Sequence, residues 1–155
     1  MPPTPAHLTP AESVANLVYT YAERIDGGDF AGVGQLLAHA TLSFEGFAGT
    51  VSGREEIEAL YTGTTRRYED GTPRTKHVMT NLLVEVGEDG TTASSRSYFT
   101  VLQAVEGSLT LQPVIAGRYR HAYELAEAGW RIASMHIIID LVGDLGHHML
   151  IDLGR

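Results

Sequence analysis

The chain has 155 residues, no cysteine, 43% hydrophobic residues and a formal net charge of −8 with histidine neutral. Disulfides, a thiolate nucleophile and cysteine-based metal sites are excluded, and so acidic a chain suits neither nucleic-acid phosphate nor an anionic membrane. Length and apolar content fit one globular domain over residues 1–155, with tails at 1–8 and 143–155. Residues 1–7 carry neither a basic nor an apolar segment, so they do not read as a signal peptide, and no apolar run reaches the length of a membrane span. The expectation is a soluble, cytoplasmic protein.

Residues 1–8 are Pro-rich and read as a frayed tail. Thr9-Pro10-Ala11-Glu12 is a helix start, with a capping threonine, a proline at the first helical position and a glutamate that completes a capping box. Val14, Leu17, Val18, Tyr21 and Ile25 follow as one apolar stripe, and Gly27-Gly28 ends the helix. Asp29 caps a short second helix that buries Phe30, Val33, Leu36 and Leu37. Residues 40–47 alternate like a strand, and Gly46 and Gly49 mark a loop. Ser52-Gly53-Arg54-Glu55 has the pattern of a second capping box, opening a helix with Ile57, Leu60, Tyr61 and Tyr68 on its apolar side. Asp70-Gly71-Thr72-Pro73 stops it.

Beyond Pro73 the period becomes strand-like. Four long strands are expected, at 74–86, 91–105, 109–125 and 130–142, and the turns between them are short enough to force antiparallel hairpins. Pro113 and Gly117 should bend the third of these strands. Helices first and a meander afterwards give an α+β fold, with three N-terminal helices on a strongly curved antiparallel sheet. Val78, Leu82, Val84 and Val86 share one parity of the first long strand and His77, Met79 and Asn81 the other. An apolar outer face of this kind needs a partner, so a homo-oligomer, dimer or trimer, is expected. His136 is expected to face the same interior as His77.

Several pieces, in order, resemble the SnoaL-like branch of the nuclear transport factor 2-like fold. They are Tyr21-Ala22-Glu23-Arg24-Ile25-Asp26-Gly27-Gly28-Asp29-Phe30, then Gly53-Arg54-Glu55-Glu56-Ile57, then His77 with Asn81, Gly117-Arg118-Tyr119 and Gly129-Trp130-Arg131-Ile132. The resemblance implies a cone-shaped α+β barrel. It also implies a repertoire that includes scytalone dehydratase, hexachlorocyclohexane dehydrochlorinase, bile-acid dehydratases and polyketide cyclases. In the eliminating members a histidine on the first long strand is the base, an aspartate after the first helix orients it, and bile-acid enzymes add a tyrosine five residues earlier. Those positions are His77, Asp26 and Tyr21 here.

The chemistry suits those residue types. A neutral imidazole removes a proton beside a carbonyl, a carboxylate on its other nitrogen fixes the tautomer, and a phenol polarises an oxygen. Each residue has a plainer alternative. Tyr21 sits on the core stripe, Asp26 lies at its border, and His77 is also placed as a surface strand residue would be. Asn81, Tyr98, Tyr119, His136 and Tyr61 are the candidate substrate-binding residues, with Arg96 and Arg118 at the rim. Some family members carry a second histidine or an aspartate on the strand after the base, where this chain reads Ser94-Ser95-Arg96-Ser97-Tyr98. Adjacent His147 and His148 on a tail do not constitute a metal site, so neither metal nor cofactor is expected. The expected activity is a dehydratase-type elimination on a small apolar or cyclic substrate. The alternatives are an isomerase or cyclase using the same pair, and a binding module without catalysis.

Overall fold

The computed structural model describes residues 7–154. Most of the N-terminal tail expected over 1–8 therefore lies outside the described residues. Helix α1 (Pro10–Asp26) starts as its residues dictate: the Thr9 hydroxyl accepts the Glu12 backbone N–H, and the Glu12 carboxylate accepts the Thr9 N–H at 2.7 Å. Its apolar side buries Val14, Val18, Tyr21, Ala22 and Ile25. At the end of α1 the chain turns at Gly28, with φ +71°, and passes so close to Gly71 that a Cβ on Gly28 would lie 1.9 Å from the Gly71 carbonyl oxygen. Asp29 caps α2 (Phe30–Leu36) by accepting the Gly32 N–H at 2.9 Å.

Two short strands follow, β1 (Thr41–Phe44) and β2 (Val51–Ser52), then α3 (Arg54–Thr64). The second capping box does not form. Ser52 is paired with Thr41 in the sheet, and Gly53 occupies the cap position without a side-chain bond. The helix stops at Thr64, earlier than expected, because the Thr65 N–H closes the last turn on Tyr61 and residues 64–66 then pair with the C-terminal segment. Tyr68 consequently lies beyond the helix.

The four long strands are β3 (Thr75–Val86), β4 (Thr92–Val105), β5 (Leu109–Ala126) and β6 (Gly129–Val142). They form an antiparallel meander within a six-stranded sheet of order β2-β1-β6-β5-β4-β3. The sheet is curved and unclosed, and α1 packs across β3 and β6 on its inner face. β1 runs parallel to β6, so the sheet departs from the fully antiparallel expectation at the edge that the meander leaves free. β5 shifts register at Val114, beside Pro113, and its pairing with β6 shifts between Ala116 and Gly117, where Asp140 of β6 is the extra residue. A Cβ on Gly117 would lie 2.0 Å from the Ile138 carbonyl oxygen and 2.9 Å from the Phe99 ring, so only glycine fits this bend.

Two further bulges decide which side chains face inwards. In β3 the register shifts between Thr80 and Leu83, with Asn81 at φ +53°. Beyond it Leu82 and Val84 pack on the core side, whereas Val78 and Leu83 are exposed. The four residues Val78, Leu82, Val84 and Val86 therefore do not form the single apolar outer face on which the expected homo-oligomer rests. In β6 Ala133 falls as an extra residue between Ile132, paired with Tyr123, and Ser134, paired with Ala122. A one-residue insertion exchanges the two faces of everything after it. The described helices include none long and apolar enough to cross a membrane.

Candidate active site

The C-terminus of α1 meets the start of β3 at Asp26 and His77. One Asp26 oxygen lies 2.7 Å from His77 Nδ1 and accepts the Thr75 hydroxyl at 2.9 Å, while the other accepts the His77 backbone N–H at 2.7 Å. The two side chains are 10% and 6% exposed. Burial alone would raise the Asp26 carboxyl. The His77 hydrogen bond and charge, its backbone N–H and the Thr75 hydroxyl outweigh that, and the net shift is downward. An ionised Asp26 can only accept, so Nδ1 carries a proton, and in the neutral form of the ring it is Nε2 that has the lone pair.

Tyr21 stands on α1 with its ring edge-on to His77, centroids 6.5 Å apart, and its hydroxyl 2.7 Å from that of Tyr61 on α3. Tyr119, on β5, packs edge-on against Tyr21 and stacks on Phe99 at 4.3 Å. Desolvation raises all three phenols well above their ordinary range, so they are protonated donors at neutral pH.

Tyr21, Tyr61, His77 and Tyr119 line one cavity of about 350 Å³, whose other walls are largely apolar, among them Leu42, Phe44, Phe99, Val101 and Ile137. Asp26 stands behind His77, outside the cavity lining. Among the described residues no three His, Cys, Asp or Glu side chains converge closely enough to hold a metal ion.

Three expected binding residues are not in the cavity. Asn81 sits exposed at the β3 bulge. Tyr98 is 52% exposed, because its neighbour Phe99 takes the inward position and strand alternation sends Tyr98 out. His136 faces the outer side, turned there by the Ala133 bulge, with Nδ1 2.7 Å from the Ser43 hydroxyl and Nε2 2.8 Å from a Glu45 oxygen. Arg118 also lies outside the cavity lining, in a two-bond pair with Asp140 at 2.8 Å.

The cavity also contains a residue of the C-terminal segment, where the sequence alone indicates only a tail. His148 is 6% exposed and lines the cavity together with Met149, Ile151 and Leu153. Burial and then the neighbouring His77 push its pKa down to about 4, against a smaller opposing effect of Asp26.

A model of the SnoaL-like domain matches residues 6–136. The chain belongs to the SnoaL-like family. Solved structures similar to this SnoaL-like domain include an NTF2-like protein with a cystatin-like fold from Novosphingobium aromaticivorans. It is 25% identical, with a TM-score of 0.68 over 83% of this chain and 80% of that one. ActVI-ORFA from Streptomyces coelicolor is 15% identical, with a TM-score of 0.66 over 83% of this chain and 95% of that one. A dehydratase candidate of the NTF2-like family from Streptomyces avermitilis is 18% identical, with a TM-score of 0.66 over 86% and 98%. The last two likenesses concern the fold alone. No curated protein matches this SnoaL-like domain in sequence.

Proposed function

We propose that this SnoaL-like domain is a cofactor-independent lyase that eliminates water from a small apolar or cyclic substrate with an acidic C–H beside a carbonyl. The reading is carried by the contact of His77 Nδ1 with Asp26 at 2.7 Å, with the imidazole set in the wall of an apolar cavity. His77 Nε2 takes the proton from carbon, and Asp26 stabilises the imidazolium. Tyr21 donates to the enolate oxygen. As the C–O bond to the leaving hydroxyl breaks, the imidazolium returns its proton to that oxygen and water departs. Base and acid are the same residue, so the cycle closes without another proton source.

The dyad equally moves a proton from one carbon to another, in an isomerase or cyclase, when the substrate has no leaving group. The test is turnover of a panel of cyclic β-hydroxy ketones, followed by mass. We expect a product lighter by one water, and a kcat lower by about 10²–10⁴ in His77→Ala, the usual worth of a positioned acid–base group. A product of unchanged mass assigns the isomerase. Binding without turnover across the panel, with no effect of Asp26→Asn, replaces the enzyme by a binding module.

A further inference from the structure

Residues 143–154 return across the fold as a strap. Met149 pairs with Thr65, Arg66 N–H donates to the His148 carbonyl at 2.8 Å, and Leu150 N–H donates to the Thr64 carbonyl at 2.9 Å. The His147 carbonyl accepts both the Tyr68 hydroxyl at 2.5 Å and the Gln103 amide at 2.8 Å. This anchoring turns the His148 ring into the cavity, 6% exposed, with Nδ1 buried and unmatched by any hydrogen-bond partner. Leucine or methionine would fill such a wall without stranding a polar atom, so packing does not account for an imidazole there.

We infer that His148 is a substrate-binding residue that donates a hydrogen bond to a hydroxyl or carbonyl oxygen of a compact, mainly apolar ring compound held in the His77 cavity. The inference rests on reading that cavity as the substrate site, and it deepens the proposal by adding a second oxygen recognition point beside the tyrosines. With its pKa near 4 the ring is neutral at pH 7. It keeps one N–H to donate and does not serve as a second acid, because loss of its only N–H proton would leave an imidazolate. Proton balance therefore stays on His77, and His148 holds the oxygen in place while the adjoining bonds change.

The test compares naphthalene with 2-naphthol, two probes of one ring shape that differ by one oxygen, binding to the full chain at pH 7. Wild type should prefer 2-naphthol by about 3–10-fold, the range of one net hydrogen bond. His148→Phe should keep its affinity for naphthalene and lose the preference. In wild type labelled with ¹⁵N at histidine, the His148 ring nitrogens should shift with 2-naphthol and stay in place with naphthalene, a readout independent of how the variant folds. A preference that survives in His148→Phe, ring signals that ignore 2-naphthol, or a wild type that binds neither probe overturns the inference. The two proposals fail separately. Loss of the preference without turnover of any hydroxy ketone removes the lyase and keeps His148, and turnover dependent on His77 with the preference intact does the reverse.

Discussion

Asp26 holds His77 twice, by the ring through Nδ1 and by the backbone through its own N–H, each at 2.7 Å. The first contact sets the tautomer and the second sets where the strand begins relative to the helix. Asp26→Asn keeps most of the shape and loses the demand for a proton on Nδ1. We expect a kcat lower by about 10²–10⁴ with KM little changed, because a neutral amide tolerates the wrong tautomer. Stability should follow. A carboxyl held below its usual 3.8 stabilises the fold above that pH and loses this contribution as pH falls through its folded value. Acid unfolding of the variant, followed by circular dichroism, should therefore be shallower below about pH 4.

Removing the hydroxyl in Tyr21→Phe should cost less, on the order of tenfold in kcat, since one donor is only part of the stabilisation of an oxyanion. Tyr61→Phe takes away the group 2.7 Å from the Tyr21 hydroxyl. A smaller loss is expected there, with the same pH profile as wild type. A larger loss in Tyr61→Phe than in Tyr21→Phe would reverse the assignment of the polarising phenol.

His121 is a structural liability that acid exposes. It is 4% exposed, stacks on Tyr123 at 5.6 Å, and neither ring nitrogen has a hydrogen-bond partner. Burial pushes its pKa down from 6.5 to about 4. Between those values the unfolded chain binds a proton that the folded chain refuses, so stability falls as pH drops, by about 3 kcal/mol across the window. His148, shifted in the same direction, adds to this. His121→Phe should raise Tm at pH 7, by removing two unmatched nitrogens, and flatten the decline between pH 6.5 and 4. Urea titrations at several pH values measure both effects, and an unchanged slope would mean that the buried ring charges without penalty.

Gly28→Ala tests the turn that delivers Asp26. The residue has φ +71°, and the new methyl would lie 1.9 Å from a backbone oxygen that cannot rotate away. Left-handed strain alone costs about 1 kcal/mol, and the displaced 70–72 turn adds to it. We expect a lower Tm and a fall in kcat beyond that seen for a surface substitution of equal Tm.

Local chemistry made much of this fold readable. The Thr9–Pro10–Glu12 start, the Asp29 cap, the meander and the kinks at Pro113 and Gly117 each rest on neighbours in the chain. Tyr21, Asp26 and His77 were found by resemblance to a family pattern, because periodicity left each of them a plain alternative. Of the three expected binding side chains that lie outside the cavity, two share a cause and the third has its own. Asn81 is itself at a bulge, His136 lies three residues beyond the extra Ala133, and Tyr98 competes for the interior with an adjacent phenylalanine. An insertion of one residue leaves no mark in hydrophobic alternation until both partner strands are known. His148 was hidden for a different reason. Its position comes from bonds to residues 64–68 and 103, which no local pattern encodes.

One amide joins those distant parts. Gln103, 1% exposed on β4, gives its Nε2 hydrogens to the Pro73 carbonyl at 3.0 Å and to the His147 carbonyl at 2.8 Å. The first oxygen lies two residues ahead of the strand that carries His77, and the second belongs to the residue before His148. The mounts of the two imidazoles are thus tied to one nitrogen atom. The fork of one planar NH₂ group links them directly, beside the Asp26 grip on His77 and the backbone bonds of the strap, as a tie bar joins two posts that each have their own footing.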